Sequence, residues 1–337
     1  MKTRHLRIGA ALCSLAVLAA ACGADDTGET ATEGSEAAEE TTDDVELPAG
    51  DQTVCYVTAA EAHPYVTPAN DALAVAADAA GTEVIRLSQE FDAQTGTEQL
   101  NTCIAREVDG IILWPLDPAA YVSGLAAADT AGIPTVLINS PMDEEGLALA
   151  DSFTGPDTYE QGIISANQMN ELLGGSGKVV IIAGQAGNGT TIGRTDGFTE
   201  ELERLGSDIE VLATVNADFD QQKALVASRD LITRFGDEID GVYANDDTMA
   251  RGFIDAYKET GGTNSPIIIG INGQTDAFQS IRDGEMASTI LQSPDADGKL
   301  AMDTMLAILA GEDVEARIPL ELFVIDPDNV DDFEPAL

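Results

Sequence analysis

From Thr53 onward the chain alternates short apolar runs with longer amphipathic stretches. The runs VCYVTA (54–59), TEVIRLS (82–88), DGIILW (109–114), PTVLIN (134–139), KVVIIAG (178–184), IEVLATV (209–215), GVYAN (241–245), SPIIIGI (265–271) and MASTILQ (286–292) read as strands, most of them apolar enough to be buried on both faces. Between most of them lie helix-like stretches such as NDALAVAADAAG, TGTEQLNTCIARE, AAYVSGLAAADTAG and QQKALVASRDLITRFG. Several stop at glycine, which takes the left-handed turn that closes a helix without a steric penalty. Strands and helices in alternation predict parallel sheets with right-handed crossovers, the doubly wound α/β class.

The alternation breaks at LALADSFTGPDTYEQG, where Gly155, Pro156 and Asp157 stand between a strand and a long helix, and a fresh βα series begins at Lys178. The chain beyond residue 51 has about 285 residues, more than one hydrophobic core usually serves. Two similar lobes are expected, with a crossing near residue 155.

The start of the chain follows other rules. Lys2, Arg4 and Arg7 precede an apolar run from Ile8 to Leu18, too short for a stable membrane span, and then Ala19, Ala20 and Ala21. Residues 1–21 read as an export signal. A cysteine directly after three alanines resembles a bacterial lipoprotein box, in which the thiol is diacylated and cleavage makes Cys22 the new N-terminus. Here Ala19 holds the place where that box prefers leucine, with Leu18 one step back. Ordinary secretory cleavage, with Cys22 incidental, is the alternative. Residues 22–51 are rich in carboxylates and hold no basic or aromatic residue, so they read as a solvated tether extended by its own repulsion. The expected location is the outer face of the cell membrane, in the cell envelope or periplasm.

A formal charge of −44 on 337 residues argues against nucleic acid or an anionic membrane surface as partner, since both need a basic footprint. It leaves the lipid as the expected membrane link, and a monomer is expected. Cys13 departs with the signal, which leaves Cys55 on the first strand and Cys103 on the second helix; outside the cell they can pair, or they can stay reduced and buried. His63 is the only histidine once His5 is removed, which excludes multi-histidine metal sites, and neither metal nor cofactor is expected. Enzyme motifs fail on spacing. GGSGKVV lacks the phosphate-loop pattern, AGQAGNGTTIG lacks G-x-G-x-x-G, and no G-x-S-x-G elbow occurs. Asp246 and Asp247 are adjacent and read as cap and solvent residues, so no enzyme activity is expected.

In open parallel sheets ligands sit at the carboxyl ends of the strands. Those positions hold His63, Pro64 and Tyr65, then Trp114, then Asn139 and Ser140; in the second half they hold Arg194, Phe219, Asn245, Asn272 and Gln292. Flat rings with amides suit a small hydroxyl-rich molecule, because rings cover its apolar face while amides both donate and accept.

At these positions the chain resembles the periplasmic-binding-protein family of the ribose and galactose type, the solute receptors of bacterial ABC importers. HPYV is similar to that family's Asn-Pro-Phe-Phe loop, VDGIILWPLDPAA to its Val-Asp-Gly-Ile-Ile-Ile-x-Pro-x-Asp run, and AGIPTVLIN to its Ala-Gly-Ile-Pro-Val-Val segment. GRTDGF matches its arginine-bearing helix start and YANDDTMARG its Ala-Asn-Asp-x-Met-Ala-x-Gly stretch. The resemblance runs from about Val54 to Gly311. It implies a type I fold of two lobes joined by a hinge, residues 52–155 with about 293–322 and residues 156–292 with about 323–337. It further implies that Tyr65 and Phe219 stack on opposite ligand faces and that Arg194, Asn245 and Gln292 hydrogen-bond the ligand. Capture would proceed by hinge closure, with delivery to an ABC permease.

Two departures bear on the ligand. Where sugar receptors of this type usually place aspartates, this chain has Asn139 and Asn272, and the arginine that commonly follows the first is Ser140. Amides make weaker bonds to hydroxyls than carboxylates do, and with Arg194 kept the pocket is less negative. A sugar or polyol is expected. The alternative is a sensory protein that binds a non-sugar or mildly anionic molecule and signals to a membrane kinase or chemoreceptor. Trp114 either adds a ring to the wall or serves the core, and His63 either touches ligand or sits solvated in its loop.

Overall fold

Among the described residues twelve strands fall into two sheets, and the chain passes between them three times. The computed structural model describes residues 52–261 and 263–336; the expected export signal, Cys22 and the expected tether to residue 51 lie outside the described residues. Strands β1 (Thr53–Thr58), β2 (Glu83–Ser88), β3 (Gly110–Leu113), β4 (Thr135–Ile138) and β5 (Ser152–Gly155) alternate with helices α1 (Val66–Ala80), α2 (Ala93–Ala105), α3 (Val122–Ala131) and the short α4 (Glu144–Leu147). After α5 (Thr158–Leu172) come β6 (Ser176–Ala183), α6 (Gly189–Leu205), β7 (Asp208–Asn216), α7 (Gln221–Phe235), β8 (Gly241–Ala244), α8 (Asp247–Thr260), β9 (Ile267–Asn272), α9 (Thr275–Arg282) and β10 (Ser288–Leu291). Helix α10 (Pro294–Leu309) and strands β11 (Arg317–Pro319) and β12 (Phe323–Ile325) complete the fold.

The first sheet has the order β11-β5-β4-β3-β1-β2 and the second β12-β10-β9-β8-β6-β7. All pairings are parallel except β12, which runs antiparallel to β10. The reason lies in the side chains. In β1, Val54 and Tyr56 join a core with Leu73 and Ala77 of α1 and Met302 of α10, while Cys55 and Val57 face the opposite core with Leu100 and Leu125. A strand with apolar residues on both faces needs a helix layer on each side. The second sheet repeats this, with Phe253 and Phe278 on one face and Phe198 on the other.

Helix ends obey local chemistry. Asp92, Asp157, Asn188, Asp220, Asp246 and Ser293 each accept a backbone N–H as N-caps, and Gly81, Gly132, Gly206 and Gly261 close helices in the left-handed conformation. Cys55 of β1 and Cys103 of α2 are joined by a disulfide. Three short strands escape the sequence pattern. Ser152–Gly155 lies inside the expected interruption, and Arg317–Pro319 and Phe323–Ile325 each close one sheet edge. The passages follow β5, follow β10, and join β11 to β12; α10 packs on α1 and so belongs with the first sheet. No helix among the described residues is long and apolar enough to cross a membrane.

Candidate functional site

The carboxyl ends of both sheets face one cavity with about 50 Å³ open to water centres. From the first lobe it is lined by His63, Tyr65, Val66, Phe91, Trp114, Leu116, Asn139 and Ser140, from the second by Asn188, Thr190, Arg194, Phe219, Asp246 and Asn272, and at the passage between them by Gln292. Eight of the nine residues expected at a site from the sequence therefore share one wall. The lobes meet over it: Ser140 Oγ and Thr190 Oγ1 are 2.8 Å apart, and Gln185 Nε2 donates to the Phe91 carbonyl at 3.1 Å.

The rings are set by tight backbone. His63 and Phe91 meet edge to face at 5.3 Å, and Tyr65 and Trp114 at 6.2 Å. Trp114 thus belongs to the wall and the first-lobe core together. Phe219 has a φ of 57° and occupies the space a Cβ on Gly184 would take, 2.1 Å from its ring. Asn139 and Asn272 also have positive φ, 65° and 125°, and Gly155 is pressed so close to Asn139 that a Cβ there would lie 2.7 Å from its backbone. Asparagine tolerates such φ values better than bulkier residues do.

Polar groups beneath the wall hold these side chains. Asn139 Nδ2 donates to Asp297 Oδ2 at 2.6 Å, and the Tyr65 hydroxyl donates to the same oxygen at 3.2 Å. Arg194 is buried and donates from Nε to Gln161 Oε1 at 2.8 Å and from a terminal nitrogen to the Asn245 carbonyl at 2.6 Å. Gln161 Nε2 donates to Gln292 Oε1 at 2.9 Å, and Gln292 Nε2 to Asn272 Oδ1 at 2.8 Å.

Residues 54–313 match the model of the periplasmic binding protein domain. The chain belongs to that family. A xylitol-binding protein of Mycolicibacterium smegmatis is 30% identical over 275 residues, 82% of this chain and 77% of that one. A ribose import binding protein of Bacillus subtilis is 29% identical over 244 residues, 72% of this chain and 77% of its own. Among solved structures, an ABC transporter solute binding protein from Bacillus halodurans with bound myo-inositol is 27% identical with a TM-score of 0.77, covering 85% of this chain and 98% of that one.

Within this periplasmic binding protein the cavity's electrostatics follow from burial. Burial pushes Asp246 and Asp297 up to about 7 and Asp247 to about 6, and pulls Arg194 below its usual value. His63 is pulled down to about 4 by burial, so it is neutral at pH 7. Its Nδ1 accepts from the Tyr65 N–H at 3.2 Å, which leaves the proton on Nε2, facing the Phe219 carbonyl of the other lobe without a completed hydrogen bond. The sequence reading of a solvated loop histidine is therefore set aside. Asp246 caps α8 through the Met249 N–H at 2.7 Å, as expected, but its other oxygen is buried, has no protein partner among the described residues, and belongs to a side chain lining the cavity. Asp247 is no solvent residue. It is buried and accepts from Thr289 Oγ1 at 2.7 Å and the Gln274 N–H at 2.9 Å.

Asn245 stands apart from the other expected residues. Its side-chain oxygen accepts from the Gly184 N–H and Thr195 Oγ1, and Asp246 takes the place on the wall. Phe91 was missed, though a signal existed: QEFDAQ (89–94) and ADFDQQ (217–222) are copies of one strand-end turn, each with two positive-φ residues and an aspartate N-cap. Asp297 and Gln161 carry no such mark. No group of three or more histidine, cysteine or acidic residues placed to hold a metal occurs among the described residues.

Proposed function

We propose that this protein is an exported solute receptor that captures a small, uncharged, hydroxyl-rich molecule, a polyol or monosaccharide, between its lobes and hands it to an ABC permease. The observation that carries the reading is the cavity wall itself: rings from both lobes and four amides, those of Asn139, Asn188, Asn272 and Gln292, converge on a space reached from opposite sides. Its volume corresponds to roughly three to five water positions, which favours one small polyol or pentose over a disaccharide or nucleoside. The bound or named ligands of relatives, xylitol, ribose and myo-inositol, are uncharged polyhydroxy compounds. Arg194, the one buried cation among the described residues, stands beside the buried Asp246, which titrates near 7 and so offsets part of its charge, and this favours a neutral ligand over the mildly anionic alternative.

Capture follows from the geometry. Residues of each lobe gain their partners across the ligand only when the lobes meet, so binding shifts the population toward the closed form seen here. Cysteine-linked acyl chains at Cys22 would keep the receptor on the outer face of the membrane, each buried methylene contributing about 0.8 kcal/mol. Cys22→Ser is expected to release the protein from membranes, and its retention there would count against the anchor.

The test is calorimetric titration and thermal shift of the exported protein against pentitols, pentoses, hexoses, inositols, sugar acids and nucleosides. A ligand that binds only the native state raises the melting temperature. A response to a neutral polyol or sugar supports the reading, and a response to sugar acids alone overturns its neutral-ligand half.

A further inference from the structure

We propose that Gln161, outside the cavity wall, is a positioning residue that sets the polarity of ligand recognition on the second lobe. It does so through a one-way chain of hydrogen bonds, Arg194 to Gln161 to Gln292 to Asn272, that leaves the Asn272 amide N–H₂ as the group offered to the ligand. This rests on the solute-receptor reading above and adds which hydrogen-bonding end the pocket presents.

The direction of the chain is fixed by its first member. A guanidinium only donates, so the side-chain oxygen of Gln161 must face Arg194 Nε, and it lies 2.8 Å away. Its NH₂ must then point to the Gln292 oxygen, 2.9 Å away, and the Gln292 NH₂ to the Asn272 oxygen, 2.8 Å away. Each amide is oriented by the one before it, which removes the usual freedom to exchange oxygen and nitrogen. All four side chains are buried, so water does not compete for these partners. What remains is Asn272 Nδ2, on a residue lining the cavity and with no protein acceptor among the described residues. Gln161 and Arg194 sit on α5 and α6, Asn272 ends β9 and Gln292 follows β10, so the chain lies within the second lobe and its exit and does not need the lobes to close.

The opposite wall presents the other end. Asn139 gives its NH₂ to Asp297, which leaves the Asn139 oxygen for the cavity. The ligand must accept at Asn272 and donate at Asn139. A hydroxyl-bearing carbon skeleton does both; an ammonium seated over Asn272 cannot accept there.

Gln161→Glu tests this. A carboxylate has no donor, so Gln292 must turn its NH₂ toward residue 161 and its oxygen toward Asn272, and Asn272 must turn its NH₂ inward. The cavity then meets an oxygen where it met N–H₂, while Arg194 keeps an acceptor of the same shape. With whichever of xylitol, ribose or myo-inositol binds the wild type best, Gln161→Glu should weaken affinity at least tenfold at near-unchanged melting temperature. Gln161→Met, which cuts the chain without inverting it, should weaken affinity less. A merely structural role for Gln161 predicts the reverse order, because methionine removes every hydrogen bond and glutamate keeps the one to Arg194. Side-chain amide ¹⁵N spectra of the ligand-free protein test the relay without any ligand. The Asn272 NH₂ signals, assigned by their loss in Asn272→Asp, should exchange rapidly with water in the wild type and become protected in Gln161→Glu. Unchanged exchange there, or a greater loss of affinity in Gln161→Met than in Gln161→Glu, overturns the proposal. Absence of binding by all three probes would strike the solute reading alone, with the exchange measurement still deciding the relay.

Discussion

Asn139 and Asp297 lie 158 residues apart in the chain and are joined by a 2.6 Å hydrogen bond from amide to carboxylate. One directly follows β4, the other stands in the first turn of α10, the helix that returns the chain from the second sheet to the first. The Tyr65 hydroxyl reaches the same carboxylate oxygen. A single buried acid thus holds an amide and a ring of the first-lobe wall.

Asp297→Ala should therefore do more damage than Asp297→Asn. Alanine leaves the Asn139 NH₂ and the Tyr65 hydroxyl buried without an acceptor, each at a cost of about 1–3 kcal/mol. Asparagine keeps one oxygen in place. Urea unfolding should show a loss of about 2–4 kcal/mol for the alanine variant. Titration should show roughly tenfold weaker ligand binding, one pK of binding for about 1.4 kcal/mol, and a change of only a few-fold for asparagine.

The interface of α5 with α6 admits no side chain at two places. A Cβ on Gly162 would lie 2.4 Å from the Arg194 carbonyl and 2.6 Å from the Phe198 nitrogen, and one on Gly197 would lie 2.2 Å from the Tyr159 carbonyl. These are backbone atoms, which cannot swing aside. Gly162→Ala is expected to cost about 1–3 kcal/mol by overpacking. Because Gln161 and Arg194 face each other across this same interface, ligand affinity should fall with it, as titration of the purified variant would show.

The Cys55–Cys103 disulfide spans 48 residues. Closing a loop of that length in the unfolded chain stabilises the fold by about 4 kcal/mol in the chain-entropy model, with about 2–4 kcal/mol typical. Cys55→Ser with Cys103→Ser should lower unfolding free energy by that amount. Neither residue lines the cavity, so affinity at low temperature should be unchanged. Equal stability with and without a reductant would show that the bond is absent in solution.

Most of this architecture was legible in sequence because strands buried on both faces must be apolar throughout, and such runs as VVIIA and IIIGI admit few other readings. The strands Ser152–Gly155, Arg317–Pro319 and Phe323–Ile325 were not legible, being too short to show a period. The cavity residues Tyr65, Trp114, Asn139, Phe219, Asn272 and Gln292 were legible because they sit at or just beyond strand ends. Asp297 and Gln161 were not, since what matters about them is a partner 158 and 33 residues away, respectively. Asp246 was misjudged only in part: the cap was visible, while its burial on the second lobe's side of the cavity is a tertiary fact.

Stability should rise as pH falls from 8 toward 5. Asp297 and Asp246 titrate near 7 and Asp247 near 6 in the fold, against the usual 3.8 for an exposed aspartate. Between about pH 4 and 7 the native state holds protons that the unfolded chain has released, so unfolding free energy decreases as pH rises through that window and levels off above it. For Asp297 alone the difference is on the order of 4 kcal/mol. His63 acts in the opposite sense: held near 4 in the fold, it favours the native state increasingly as pH rises from 4 to its ordinary value near 6.5. One histidine offsets only part of three acids, so the net slope stays negative. Repulsion among surface carboxylates, at a formal charge of −44, adds to the slope but is screened by salt, whereas the buried acids are not. Melting temperatures recorded in high salt should therefore keep much of their decline between pH 5 and 8, and Asp297→Asn should flatten it. A decline that vanishes in high salt, or is identical in Asp297→Asn, would assign it to the surface instead.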